Sequence, residues 1–184
     1  TWKFGIPASS SHSLIGGVVG AGLAAFGTGA IAWSYFWGRV VLMIFLTPAV
    51  SFCLGFLILK LLLRLTRHAG VGVNKFFTYA QWVNMTFLAF NHSFNDSQKS
   101  IGIILILIGI YGGDVSGIPL WSILCAAACL ACGIAFGGFK IIKTVGTGIY
   151  KVQPIHSFAS QLTAGSVILA SSLLGAPVSA SQIG

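Results

Sequence analysis

The sequence predicts an all-α polytopic membrane protein, because of its composition, its long apolar segments and the placement of its basic residues. Hydrophobic residues make up 56% of the 184 residues, charged residues make up only 7%, and the mean hydropathy is +0.94. Soluble domains usually carry about 25% charged residues, so this chain has too few charges to cover a surface that faces water. Long apolar segments recur along the whole chain, and this recurrence excludes a cleaved signal peptide as the explanation of the high hydropathy.

The predicted elements alternate between apolar helices and short polar connections. Two segments, Gly38–Leu63 and Leu120–Phe139, have the length and composition of helices that cross a bilayer core of about 30 Å. The remaining segments are a polar start at residues 1–12, a Gly/Ala-rich helix at Leu14–Ile31, an aromatic interface cluster at Trp33–Trp37, a basic loop at residues 64–75, a long stretch at Phe76–Tyr111 with a polar middle, a loop at residues 112–119, a basic connection at residues 140–154, and a helix at Ile155–Leu174.

The distribution of the basic residues indicates that the net charge of +8 reflects membrane topology and not a nucleic-acid partner. They cluster in two short gaps, residues 64–75 and 140–151, as the positive-inside rule expects of cytoplasmic loops. Both gaps lie on the same side only if Phe76–Tyr111 crosses the membrane once. This stretch would measure about 54 Å as one straight helix, so we expect a broken or strongly tilted pair of half-helices. The break is predicted at Asn91–Lys99, near the bilayer midplane.

A Ser-rich motif occurs twice, at residues 5–12 and 175–182. The copies match at Gly, Pro and both outer serines with a constant offset of 170 residues. A Gly/Pro break followed by serines and an apolar helix indicates a helix N-terminus with hydroxyl caps. Such an end binds anions through its free N–H groups and its dipole. Two ends that meet would hold a tetrahedral oxyanion, and the alternative is two ordinary caps in membrane-embedded turns.

Charge topology assigns the two Ser-rich copies to elements associated with opposite faces of the membrane. Similar motifs in opposite orientation are typical of an inverted-topology repeat with its binding site near the midplane. We therefore predict inverted repeats with re-entrant helical hairpins, divided into residues 1–75 and 76–184. The first part would hold the end of repeat one, and the second part most of repeat two.

The polar segment Asn91–Lys99 provides the second candidate site. Asp96 is one of two acids in the chain, and an ionisable group inside a span is by default a functional candidate. Hard cations prefer oxygen ligands, so we predict a site for Na⁺ or for a titrating proton. Lys99 could instead pair with Asp96 at a structural kink. The predicted cation ligands are Asn95, Asp96, Ser97 and Gln98.

The sequence provides no pattern for a resident metal or for catalysis. Cys125, Cys129 and Cys132 lie in an apolar run without a nearby His or carboxylate, where we expect them to pack as small hydrophobes. No Ser/His/Asp or Cys/His spacing indicates hydrolysis. His12 is interpreted mainly as a hydrogen-bonding group, because its counterpart in the second copy is Gln182. The chain is therefore predicted not to be an enzyme.

Three motifs together resemble the inorganic phosphate transporter (PiT) family. Pro7-Ala-Ser-Ser-Ser-His12 with Gly16-Gly-Val-Val-Gly20 looks like the end of that family's first repeat, and Phe94-Asn-Asp-Ser-Gln-Lys99 looks like the Asn-Asp signature that opens its second. The end of the second repeat is matched by Thr144-Val-Gly-Thr147, Phe158-Ala-Ser-Gln161 and Pro177-Val-Ser-Ala-Ser-Gln182. The pattern contains no first Asn-Asp motif, so the chain resembles an interior part of a longer transporter.

The resemblance implies cation-coupled import of inorganic phosphate by alternating access, in the inner or plasma membrane. It implies Na⁺ or H⁺ as the coupling ion, no cofactor, and as partners phosphate, the lipid bilayer, the remainder of the transporter and a second copy in a homodimer. Ala180 and Gln182 depart from the hydroxyl and His often found there, which keeps a sulfate permease as an alternative beside an anion channel. The substrate-binding residues implied are Ser9, Ser10, Ser11, His12, Asn95, Ser179, Ser181 and Gln182.

Overall fold

The computed structural model describes residues 9–70, 72–114, 116–148, 153–176 and 178–183, and the side chains of residues 137–148 are not part of this description. Within these ranges every regular element is helical, as predicted. The α-helices are α1 (Ser10–Phe26), α2 (Trp33–Tyr35), α3 (Leu42–Leu65), α4 (Gly72–Ile110), α5 (Leu120–Gly148) and α6 (Pro154–Leu173), with 3₁₀ turns at Thr28–Ala30 and Ala180–Gln182 and a π-helical segment at Phe36–Val41.

Helix α1 begins at the first Ser-rich motif and ends earlier than predicted. Ser9 is its N-cap, and the Ser9 hydroxyl accepts a hydrogen bond from the backbone N–H of His12 at 3.2 Å. The helix stops before Gly27, whose φ of 71° lies in the left-handed region that favours glycine. The serines thus form the first helical turn instead of preceding it.

The aromatic cluster and the predicted span form one continuous helix, Trp33–Leu65, through the π-helical segment. Among the described residues this is the one helix both long and apolar enough to cross a bilayer, while Ser10–Phe26 and Leu120–Phe136 are shorter apolar helices. Large apolar side chains project outward along it, with Phe45 71% and Phe52 76% exposed. Such an exposed apolar surface suits contact with lipid or with further protein in the membrane.

The predicted break at Asn91–Lys99 is wrong, because helix α4 is continuous from Gly72 to Ile110 over 39 residues. Residues 91–99 contain neither Gly nor Pro, and their polar groups bond within the helix instead of interrupting it. The amide Nδ2 of Asn91 donates to the carbonyl of Phe87 at 2.8 Å, and the Ser100 hydroxyl donates to the carbonyl of Asp96 at 3.3 Å. Such back-bonding to the residue four positions earlier is compatible with an unbroken helix.

Helices α5 and α6 follow the sequence prediction with shifted ends. Helix α5 continues to Gly148, through residues predicted as a connection. Helix α6 starts at Pro154, which the first helical position tolerates, and stops just before Gly175, with φ 62°. Cys125, Cys129 and Cys132 are free and exposed, so the prediction that these three residues pack as small hydrophobes is wrong for the described part of the chain.

The described residues form two compact units, one over residues 9–91 and 153–183 and the other over residues 92–148. In the first unit α6 is the central helix. Gly55 of α3 lies opposite Thr163, and Gly165 lies against Phe87 of α4. The buried cluster of this unit consists of Ala164, Val167, Ile168, Val178 and Ile183. The predicted division at residues 75 and 76 concerns repeats rather than compact units, and it stays a prediction.

Candidate functional site

The two Ser-rich copies meet directly in the first unit. The hydroxyl of Ser9 donates to the hydroxyl of Ser179 at 2.8 Å, across 170 residues of sequence. Ser179 is also 2.8 Å from the hydroxyl of Ser181, and the Ser11 hydroxyl donates to the carbonyl of Val178 at 3.3 Å. Equivalent positions of the repeated motif thus contact each other, while residues 5–8 and Pro177 of the two copies lie outside the described residues.

Burial separates the serines into those that join the copies and those that face outward. Ser11 and Ser179 are 3% and 2% exposed, so their hydroxyls are committed to the contact between the copies. Ser10 and Ser181 are exposed beside them. The outward hydroxyls therefore stand next to the N-terminus of α1, where backbone N–H groups lack helical partners and the helix dipole is positive. This arrangement provides donors of the kind that an oxyanion accepts from.

The other predicted substrate residues of this unit lie at its edge. His12 is half-buried in the first turn of α1. Gln182 is half-buried and lines a cavity of about 570 Å³ between α3 and α6, together with His156 and Thr163. The serines Ser9, Ser179 and Ser181 are therefore the predicted substrate residues that hydrogen bonds join in one cluster.

The acidic site lies on α4 in the second unit. One oxygen of the Asp96 carboxylate lies 3.0 Å from Nζ of Lys99, and the other oxygen lies 3.2 Å from Nε2 of His92. Helical neighbours three and four residues apart share one face, which explains both contacts. Of the two alternatives from the sequence, the Asp–Lys pair is present, although on a continuous helix rather than at a kink.

The remaining predicted cation ligands spread around the same helix. Asn95 is 3% exposed, Ser97 is half-buried and Gln98 is exposed. Successive residues of an α-helix project about 100° apart, so these side chains do not converge on one ion while α4 is continuous. Their role as cation ligands stays a prediction.

A line of amides along the first half of α4 was not predicted from the sequence. Gln81 and Asn84 donate through their side-chain amides to the carbonyls of Pro154 and Phe158, both at 2.8 Å. Asn91 is 1% exposed, and its Oδ1 atom has no hydrogen-bond partner in the described structure, as is also true of Oε1 of Gln161. Unpaired buried oxygens are uncommon and call for an explanation. The spacing of seven between Asn84 and Asn91, two helical turns, was the available signal.

Loop residues between α4 and α5 form a local turn. The carboxylate of exposed Asp114 accepts from the backbone N–H of Ser116 at 2.8 Å and from its hydroxyl at 2.9 Å. These two hydrogen bonds stabilise the ionised form and lower the pKa of Asp114 below its ordinary value of 3.8. Asp114 thus has a structural role in this turn.

Comparison with known proteins shows the family of this chain. The model of the phosphate transporter family matches residues 1–184. A protein of Rhizobium meliloti (strain 1021) named "Probable low-affinity inorganic phosphate transporter" is 36% identical over 182 residues, which are 97% of this chain and 54% of that protein. A protein of Bacillus subtilis (strain 168) with the same name is 33% identical over 187 residues, or 100% and 56%. The chain spans about half the length of these relatives.

A solved structure described as "The sodium-dependent phosphate transporter" shares the fold, with a TM-score of 0.85 and 19% identity over 98% of this chain and 63% of that one. The chain is thus helical in all regular elements of its described residues, with the fold of that structure. It belongs to the phosphate transporter family, as the match over residues 1–184 shows. The resemblance drawn from the three motifs is thereby confirmed.

Proposed function

We propose that the complete transporter imports inorganic phosphate across the plasma membrane by cation-coupled alternating access, and that it is not an enzyme. The relatives are named as phosphate transporters, and the related structure is described as sodium-dependent. The single observation that carries the proposal is the hydrogen bond between Ser9 and Ser179, because it joins the two Ser-rich copies into one donor cluster.

Phosphate fits this donor cluster through its shape and charge. Its oxygens would accept from the exposed hydroxyls of Ser10 and Ser181 and from N–H groups in the first turn of α1. Buried Ser179 would hold the two copies together beneath the anion. His12 and Gln182 would complete the phosphate site as further hydrogen-bonding groups. A site built from hydroxyls and a helix end needs no arginine, since charge-assisted hydrogen bonds to neutral donors are themselves strong.

Alternating access would follow from the inverted repeats that the two Ser-rich copies represent. If the copies belong to elements that enter from opposite faces, rocking of one repeat against the other exposes the anion to each side in turn. Asn95 and the neighbouring residues Asp96, Ser97 and Gln98 would provide the cation-responsive element. Occupancy by the cation would then favour occupancy by phosphate, and the reverse, because such coupling is reciprocal.

Uptake of radiolabelled phosphate by the complete transporter in liposomes tests this proposal. Na⁺ and pH gradients are imposed separately, and sulfate is added as a competitor. Concentrative phosphate uptake driven by either gradient supports the proposal. Uptake that no cation gradient can drive uphill indicates an anion channel, and stronger competition by sulfate than by phosphate itself indicates a sulfate permease.

Serine variants test the donor cluster itself. Replacing Ser9 and Ser179 together by alanine should raise the apparent KM for phosphate at least about tenfold, because it removes the hydrogen bonds that hold Ser181 beside the start of α1, and a hydrogen bond from Ser181 to a charged group contributes about 1.5–3 kcal/mol. Ser13→Ala is the matched control, since the exposed Ser13 hydroxyl already donates to the carbonyl of Ser9 at 3.0 Å. An unchanged KM in the double variant would mean that these serines act only as caps.

A further inference from the structure

The carboxylate of Asp96 has both of its oxygens occupied by side chains of its own helix. Lys99 Nζ lies 3.0 Å from Oδ1, and His92 Nε2 lies 3.2 Å from Oδ2. The pair is shielded, since the side chains of Asp96 and Lys99 are 18% and 17% exposed, whereas His92 is 42% exposed. The chain has only one other acid, Asp114, which is exposed in a loop.

Lys99 adopts an unusual arrangement for a lysine next to the apolar segment at residues 101–110 of α4. Long cationic side chains in membranes usually extend so that the ammonium reaches water. The Lys99 ammonium instead folds back along α4 onto Asp96, three residues earlier. One negative and one positive charge then cancel within the shielded part of the helix. A further cation at this carboxylate would leave an uncompensated positive charge there, which a poorly hydrated site disfavours.

We propose that Lys99 is a built-in cation, whose ammonium takes the place that a mobile sodium ion would take at Asp96. Lys99 is then the residue that determines ion specificity, and phosphate transport by the intact chain needs no Na⁺ at this carboxylate. This inference rests on the proposed function, because it specifies which ion the acidic element accepts. A built-in cation and a purely structural ion pair respond differently to removal of the ammonium.

Removal of the ammonium leaves a shielded carboxylate with only the hydrogen bond from His92. A lone negative charge in such a place recruits a counter-ion from solution, and carboxylate and amide oxygens are suitable ligands for a hard cation. The amide oxygen that Lys99→Asn introduces lies three residues from Asp96, on the same face of α4. The Lys99→Asn variant therefore gains a requirement for Na⁺, whereas a structural pair would lose stability and gain no ion.

The test measures binding of radioactive Na⁺ to the purified complete transporter, without phosphate. Lys99→Asn should bind Na⁺ at least about fivefold more tightly than wild type, within the usual range of coupling between sites. The double variant Asp96→Asn/Lys99→Asn should lose the gained binding, because the negative charge is also gone. Lys75→Asn is the matched control, since it removes an exposed lysine from the first turn of the same helix.

Three results would overturn the inference. The first is Na⁺ binding by wild type that Asp96→Asn abolishes. The second is no gain of Na⁺ binding by a Lys99→Asn variant that elutes as a folded, monodisperse protein, and Lys99→Met repeats this arm if the first variant does not fold. The third is gained binding that persists in the double variant. Because phosphate is absent, a failure of wild type to transport phosphate would refute the proposed function and leave this result standing.

Discussion

The contact between Gly165 and Phe87 provides a sharp test of the fold. A Cβ atom added at Gly165 would lie 2.6 Å from Cε1 and 2.7 Å from Cδ1 of the Phe87 ring. Carbon atoms in contact are separated by about 3.5 Å or more, so the ring edge would have to move by about 0.9 Å. Overpacking of this size typically destabilises a protein by about 1–3 kcal/mol.

Gly165→Ala should therefore lower the midpoint of thermal unfolding by about 2–12 °C, at about 2–4 °C per kcal/mol for a chain of this size. The assay heats the purified protein in detergent and follows the monodisperse fraction by size-exclusion chromatography. Adding Phe87→Leu should recover most of the loss, because the shorter side chain vacates the space that the new methyl group needs.

Gly55→Ala is the matched control, because Gly55 of α3 faces Thr163 of α6. Its added Cβ would meet Oγ1 and Cγ2 of Thr163 at 3.6 Å and 3.7 Å, which is ordinary van der Waals contact. Alanine also suits a helix better than glycine, by roughly 0.5–1 kcal/mol, so this variant should be neutral or slightly stabilised. Equal effects of the two substitutions, or no rescue by Phe87→Leu, would refute the close approach of α4 and α6.

Three further predictions concern other contacts. Ser9→Cys with Ser179→Cys, in a background without the four native cysteines, should form a disulfide under mild oxidation seen as a shift on reduction, whereas Ser13→Cys with Ser179→Cys should not. Asn84→Leu should reduce the free energy of unfolding by about 1 kcal/mol, because the hydrogen bond to the Phe158 carbonyl is lost. The control Thr86→Val, at an exposed position of α4, should change this free energy little. Equal losses in the two variants would contradict the hydrogen bond. Ser116 lowers the pKa of Asp114 below 3.8, so the two hydrogen bonds stabilise the turn fully above this pH and are lost as the pH falls through the lowered pKa. The protection of the Ser116 amide against exchange, corrected for the pH dependence of intrinsic exchange, should therefore decrease as the pH falls below 3.8, and Asp114→Asn should remove this dependence.

The elements that the sequence predicted well are those with a local signal. Helix α6 begins one residue earlier and ends one residue earlier than predicted, because Pro154 and Gly175 mark its two ends chemically. The meeting of Ser9 with Ser179 was also predictable, since a motif repeated in register implies an equivalent environment for both copies. The serines pair through identical groups at matched positions.

Other features were predicted wrongly from a local pattern or depended on contacts between distant parts of the chain. Asn91 and Asp96 suggested a break because polar residues in an apolar stretch often mark one, yet their side chains found partners within α4. The buried, unpaired oxygens of Asn91 and Gln161 arise only from the packing of the first unit. The fit of Gly165 to Phe87 likewise depends on two helices more than 70 residues apart in sequence.

The bond between Ser9 and Ser179 also has a consequence for biosynthesis. Its two partners are 170 residues apart, and ribosomes add about 5–20 residues per second, so the second serine is synthesised roughly 9–34 s after the first. During that interval Ser9 at the start of α1 has been synthesised, but the Ser179 hydroxyl to which it donates has not. This contact therefore cannot form until that interval has passed, and a transporter truncated before Ser179 should leave the start of α1 open to water and accessible to thiol labelling at a Ser9→Cys position.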